Sequence, residues 1–264
     1  RHLFHCFKMQ AKKRFGQNFL TDKKLLEDLV NLINVSSNDR VLEIGPGKGD
    51  LTKILINICD SYFGVELDKD LLVFLKNKFP KNINAFIDGD ILKLSPSEIY
   101  ASNEFRVVGN IPYNISSPIL DWCEKYYEKI IDMHFMLQRE FALRCVGNEK
   151  TSSYGRLSVI CNYLYEVTIL KEVSKEFFNP EPKVDSLFVR FSPKKKKVNQ
   201  KELHNLKKVT RALFNKKRKK ISNSLEDILH KESINELGLN LNLRPDELSL
   251  SEYLQISALV KDDG

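Results

Sequence analysis

Between residues 41 and 192 two spacings of apolar residues alternate along the chain. VLEIG (41–45), YFGVE (62–66), AFIDGD (85–90), FRVVGN (105–110) and IDMHFML (131–137) are short, dense apolar runs. Between them LTKILINIC (51–59) and KDLLVFLKNKF (69–79) repeat apolar positions at helical spacing. Strands alternating with amphipathic helices predict an α/β fold, a doubly wound and mostly parallel sheet with helices on both faces. VDSLFVRF (184–191) alternates apolar and polar positions, which suits an antiparallel strand near the sheet edge. After FSPKKKK only helical spacing remains, as in LHNLKKVTRALF and ISNSLEDILHKE. Pro193 and the lysine run mark a boundary. Three segments are therefore expected: an extension over 1–10 ahead of or around Met9, a sheet domain over 11–193, and a small, basic, all-helical domain over 194–264.

No apolar run approaches the roughly 20 residues that a membrane-spanning helix requires, so no membrane partner is expected. Cys6, Cys59, Cys123, Cys145 and Cys161 stand singly, and no histidine lies at ligand spacing from them. That pattern fits reduced thiols in a cytoplasmic protein without a structural metal. The net charge is +7 and unevenly placed: from Phe191 onward 16 Lys and Arg face 10 Asp and Glu, against 26 and 25 before it. PKKKK (193–197) and FNKKRKK (214–220) hold the excess. The lysine run alone reads as a solvated linker; two clusters in one small segment favour a polyanionic partner such as nucleic acid.

EIGPGKGDLT (43–52) sets Gly45, Gly47 and Gly49 between a predicted strand and a predicted helix, where a backbone without Cβ can turn tightly beside a nucleotide-sized ligand. Glu66, 21 residues past Gly45 at the end of the next strand, is placed to accept hydrogen bonds from a ribose diol. The spacing G-x-G-x-G after an acid resembles motif I of the class I S-adenosylmethionine-dependent methyltransferases. In that family the place of Asp90, in DGD, grips the adenine amino group; a turn residue capping the next helix is the equal alternative. NIPYN (110–114) follows another strand and contains no acid, histidine or thiol.

Methylation of an exocyclic adenine amine suits such a motif. The N6 lone pair is delocalised, and the nitrogen becomes strongly acidic only after alkylation. Acceptors that pull the amine toward a tetrahedral shape and aim its lone pair matter more than a general base. Asn110 supplies a side-chain carbonyl and Ile111 a backbone carbonyl, with Pro112 stiffening the turn. Tyr113 offers a face for stacking a base, worth about 1–3 kcal/mol. Ser117 is expected to cap the following helix, with Pro118 at its first position.

NIPY resembles motif IV of amino-methyltransferases acting on adenine. Together with KKRFGQNFL (12–20), YGRLSV (154–159), FFNPEPKVDS (177–186) and FNKKRKKISNSL (214–225), it makes the chain resemble the small-subunit (16S) ribosomal RNA adenine dimethyltransferase A family from about Ala11 to the C-terminus. The resemblance implies S-adenosyl-L-methionine as cofactor, with Asn18 and Leu20 closing over its methionine end and Gly45 against its backbone. Glu66 would take the ribose, Asp90 the adenine, and Asn110 would face both methyl donor and amine. Phe178 would stack on the target base opposite Tyr113, an assignment that rests on the family; the alternative is a core aromatic beside Phe177. The implied substrate is a pair of adjacent adenosines in the 3′-terminal hairpin loop of 16S rRNA, within an immature small ribosomal subunit. RNA phosphates would meet Arg14, the lysines near 194–197, and Lys216, Lys217, Arg218, Lys219 and Lys220. A monomer is expected. The rival readings are a 23S rRNA adenine methyltransferase of the antibiotic-resistance kind and a non-catalytic rRNA-binding assembly factor.

Overall fold

The structure, a computed structural model, describes residues 17–100, 104–194 and 198–261. In chain order its elements are β1 (Phe19–Leu20), α1 (Lys23–Ile33), β2 (Arg40–Ile44), α2 (Asp50–Leu55), β3 (Ser61–Glu66), α3 (Lys69–Lys78), β4 (Phe86–Asp88), α4 (Ser97–Tyr100), β5 (Phe105–Asn110), α5 (Ser116–Lys125) and β6 (Ile130–Gln138). There follow α6 (Arg139–Val146), α7 (Arg156–Leu164), β7 (Tyr165–Val173), β8 (Phe178–Asn179), β9 (Ser186–Pro193), α8 (Gln200–Phe214), α9 (Ser222–Leu225), α10 (Lys231–Glu236) and α11 (Leu250–Ala258). Seven strands form one sheet in the order β4-β3-β2-β5-β6-β9-β7, while β1 and β8 pair in a small antiparallel sheet of their own. From β4 to β6 the pairing is parallel, and β9 runs antiparallel to β6. Each apolar run singled out in the sequence is a strand of this sheet, and the expected α/β class holds.

Strand β2 is apolar along most of its length and buried to its end, as a strand covered on both faces must be. Helix α1 lays Leu25, Leu26, Leu29, Val30 and Ile33 on one face of the sheet, where they join Val41, Val108, Met136 and Phe188 in a core cluster. Asp22 starts the helix by accepting the Leu25 N–H at 2.7 Å. Its C-terminus is held by Arg106 of β5, which donates to the carbonyls of Ile33 (2.6 Å) and Asn34 (3.0 Å). The same guanidinium makes a bidentate pair with Asp132 (2.8 Å each) and reaches Asp39 at 3.0 Å. A buried cation with its donors this well matched keeps its charge, and the two carboxylates hold its pKa above the usual arginine value against the effect of burial.

The described residues divide into two compact units, one of those up to 139 with 169–191, the other of 140–168 with those from 192 onward. The expected boundary after Pro193 therefore falls within two residues of one crossing. However, 140–168 belongs with the C-terminal helices, a correction to the single cut at 193. The reason is local packing: Tyr154 donates to the Leu248 carbonyl (3.0 Å) and Tyr163 to Glu202 (2.5 Å), both rings fully buried. Within this second unit Tyr253 donates to Pro245 O (2.7 Å) and stacks on Phe214.

Two local expectations fail. Helix α2 stops at Leu55, short of the apolar repeat that ran to Cys59. Helix α5 begins at Ser116 after Ile115, with no side-chain cap, so Ser117 and Pro118 lie inside its first turn. The helix is entered directly from a tight turn over Tyr113–Ile115, in which the Ile115 N–H donates to Pro112 O (3.0 Å), leaving Ser117 no capping position.

Candidate active site

The chain leaves β2 through three residues with φ near +60°: Gly45 (65°), Gly47 (60°) and Gly49 (73°). That region strongly favours glycine. The Gly45 N–H donates to Val65 O at 2.9 Å, and no atom lies within 4 Å of where its Cβ would stand, so this side of the turn is open. Gly47 sits under the Phe19 ring, 2.9 Å from a would-be Cβ, and its N–H donates to Glu66 Oε2 at 3.0 Å. Gly49 precedes α2 and lies against Phe79 and Leu75. Turn, carboxylate and neighbouring strand are thus tied together.

A cavity of about 200 Å³ opens along the carboxyl ends of the parallel strands, the usual ligand side of such a sheet. Asn18, Leu20, Gly45, Glu66, Asp90, Asn110, Ile111, Pro112 and Tyr113 all line it. Glu66 Oε1 accepts the Asp68 N–H at 2.9 Å; burial raises the pKa of this carboxyl, and the Asp68 and Gly47 N–H groups oppose that. Asp90 lies on the wall while its Oδ1 accepts the Leu92 N–H (3.1 Å), so the capping role exists alongside the cavity position.

At the end of β5, Asn110 Nδ2 donates to the Asn18 carbonyl at 2.7 Å. A carbonyl can only accept, so the amide nitrogen must face Asn18 and Oδ1 must point away from it. The Ile111 N–H donates to Met136 O at 3.2 Å, pinning the next peptide to β6. The Tyr113 hydroxyl shares a hydrogen bond with Ser186 Oγ (3.1 Å), and burial raises its pKa, keeping it a neutral phenol.

The second expected stacking ring is differently placed. Phe178 is 5% exposed and belongs to the core cluster with Leu20, whereas Phe177 is 38% exposed. Pairing of Phe178 with Leu20 across β1 and β8 turns its ring inward, and alternation along the strand turns its neighbour out. Phe178 is not among the residues that line the cavity, whereas Tyr113 is.

Several further wall residues have roles that the sequence did not state. Phe19 reaches the turn through a two-residue strand, too short for periodicity, and Lys48 lies over its ring at 4.7 Å. Glu43, the acid that opens the glycine turn, is buried; Oε2 accepts from Tyr62 (2.5 Å) and Thr52 (2.7 Å), and burial pushes its pKa up to about 7. His134, inside an apolar strand run, is 1% exposed, and neither ring nitrogen has a hydrogen-bond partner among the described residues. Its Nδ1 lies 3.6 Å from Asp132 Oδ1, and burial lowers its pKa to about 4, so it is neutral.

The expected phosphate contacts divide. Arg14 and Lys195–Lys197 lie outside the described residues. Lys194 donates to the Asn162 carbonyl. Lys216 pairs with Asp227 (3.2 Å), Lys217 donates to Tyr154 O (3.2 Å) and Lys220 to Asn242 (2.8 Å), while Arg218 and Lys219 are exposed. Among the described residues no His, Cys, Asp and Glu group is arranged to hold a metal, and no helix is long and apolar enough to cross a membrane.

The model of the family described as ribosomal RNA adenine dimethylase matches residues 8–262. The chain is 39% identical over 257 residues to ribosomal RNA small subunit methyltransferase A of Marinobacter nauticus, covering 97% of this chain and 93% of that protein. It is 38% identical over 256 residues to the protein of the same name from Coxiella burnetii, covering 96% and 99%. A dimethyladenosine transferase from Plasmodium falciparum has the same fold, with a TM-score of 0.76 at 23% identity over 92% of this chain and 99% of that one. The 23S rRNA methyltransferase ErmE superposes with a TM-score of 0.70 at 26% identity, covering 91% and 98%.

Proposed function

The chain belongs to the ribosomal RNA adenine dimethylase family, and on that premise we propose that it dimethylates N6 of two adjacent adenosines in the 3′-terminal hairpin loop of 16S rRNA. It does so as a cytoplasmic monomer acting on immature small ribosomal subunits. S-adenosyl-L-methionine, when bound, supplies an electrophilic methyl group. The residues present suit that ligand: Gly45 is open on one side of the turn, and from the cavity wall Glu66 would take its ribose and Asp90 its adenine. Asn18 and Leu20, which also line the cavity, would close over its methionine end.

The observation that carries this reading is the anchored amide of Asn110. Its nitrogen is committed to Asn18, so Oδ1 is the group left to accept from a substrate amine. With the Ile111 carbonyl it accepts hydrogen bonds from the N6 amino group, draws the nitrogen out of conjugation and aims its lone pair. Tyr113 supports one face of the flipped base. After alkylation the cationic nitrogen is acidic enough to lose a proton to water without a dedicated base, and the sulfonium leaves as a neutral thioether. In the second round one acceptor is left unused and the first methyl takes its place.

Small-subunit RNA is favoured over large-subunit RNA by the two relatives at 38–39% identity, against 26% for ErmE. Incubation of the protein and S-adenosylmethionine with unmethylated small subunits and with large-subunit RNA, read by mass spectrometry, tests this. Two neighbouring dimethyladenosines near the 3′ end of 16S rRNA are expected. Modification confined to large-subunit RNA overturns the substrate, and binding without transfer leaves the assembly-factor reading.

A further inference from the structure

We propose that the outer face of α8, with the start of α7, forms a groove that holds an RNA phosphodiester backbone, distinct from the Lys216–Lys220 cluster. Helix α8 buries Leu203, Leu206, Val209 and Leu213. On the opposite side His204, Lys208, Arg211 and Asn215 recur at i, i+4, i+7 and i+11, a single stripe roughly 16 Å long at 1.5 Å per residue. Lys207 lies beside it, and Arg156 at the first position of α7 supplies the facing wall. Together they line a concavity of about 580 Å³ with Ala212 and Ile228 as its apolar part and no carboxylate on its wall.

The contrast with the neighbouring cluster assigns the role. Three of its five cations are engaged inside the helical unit, with Asp227, Tyr154 O and Asn242. In the groove Lys208 donates to the Lys261 carbonyl (3.5 Å), whereas the exposed Arg156 and Arg211 make no ion pair among the described residues, and Lys207 and Arg211 stand four apart on one helix, a like-charge spacing that disfavours the isolated helix. A single small anion would want these donors converging on a point. They are strung along a line in an open trough instead, as a chain of phosphates requires. The choice of RNA over another polyanion rests on the rRNA reading above.

The test uses the full chain and the doubly substituted R156Q/R211Q. Binding to an RNA carrying the 16S 3′ hairpin, and to an unrelated structured RNA, is measured across a salt series. The groove predicts about tenfold weaker binding to both near 0.15 M salt, with the salt slope lowered by about 1 per charge removed. The unfolding temperature should stay at the wild-type value, since both side chains are exposed and unpaired. An unchanged slope overturns the groove, even where the wild-type chain methylates 16S rRNA normally. A lowered slope in a chain that transfers no methyl group supports the groove and removes the catalytic reading. Weakened binding only to poly-glutamate, with RNA binding intact, makes the trough a protein-docking site and overturns the proposal.

Discussion

Asn110 acts through one oxygen whose direction is set from outside its own strand, by the Asn18 carbonyl 2.7 Å from its nitrogen. Asn110→Ala should lower single-turnover methyl transfer about 10²-fold or more, the usual cost of losing one preorganised hydrogen-bonding group. RNA affinity should stay within about twofold, measured by filter binding. Loss in affinity without loss in rate would make Asn110 a docking residue instead. Two other wall residues titrate in opposite senses. Glu43 has its pKa raised to about 7 by burial, from 4.5. Between those values the folded chain keeps a proton that the unfolded chain releases, so its contribution to stability declines from pH 4.5 to 7 and is flat above. His134, lowered to about 4 from 6.5, does the reverse: stability is lost as pH falls from 6.5 to 4. In E43Q the Tyr62 and Thr52 hydrogen bonds keep an acceptor while the titration is gone. Relative to wild type, E43Q should therefore gain stability as pH rises from 4.5 to 7, at up to about 1.4 kcal/mol per pH unit. Urea unfolding at pH 5, 6, 7 and 8 reads the difference; parallel curves would place the Glu43 titration outside that window.

The element that organises the site is one of the two shortest. Residues 17–20 pass over the cavity, with Gln17 donating to Asp68 (3.2 Å), the Asn18 carbonyl holding Asn110, Phe19 on Gly47 and Leu20 paired with Phe178. The glycine turn and this strap are therefore one mechanical unit. Gly47→Ala places a Cβ 2.9 Å from the Phe19 ring at a φ of +60°, so either the turn or the strap must move. S-adenosylmethionine affinity, measured by calorimetry, should fall about tenfold or more. F19A/G47A should recover part of it if the ring is the obstacle, and none of it if backbone strain alone is responsible. The strap was legible in the sequence only as a family-like motif. Two-residue strands have no period, and their pairing partner lies some 160 residues away in the chain. That distance also explains Phe178: nothing in FFNP states which of two adjacent rings faces inward, and the register with Leu20 decides it.

Across the whole chain the charge excess after Phe191 was plain, but its use was not. The densest cluster, at 216–220, spends three cations on contacts within its own helical unit, while the α8 stripe is spread over twelve positions and interleaved with buried leucines. The same holds for the division into units, since a cut at Pro193 is visible as a change of periodicity but the transfer of 140–168 rests on tyrosine hydrogen bonds across more than 35 residues. What the sequence by itself determined was the α/β class, the strand order in the chain, and the placing of the glycine turn, Glu66, Asp90 and NIPY at strand ends, because these follow from local period and from residues whose backbone preferences are their own. Tertiary structure alone decided where Asn110 Oδ1 points, which phenylalanine is hidden, that Glu43 and His134 lose their ordinary pKa values, and which lysines face the solvent. Each of those depends on an atom supplied by a distant part of the chain, and burial and hydrogen-bond direction exist only once that part has arrived.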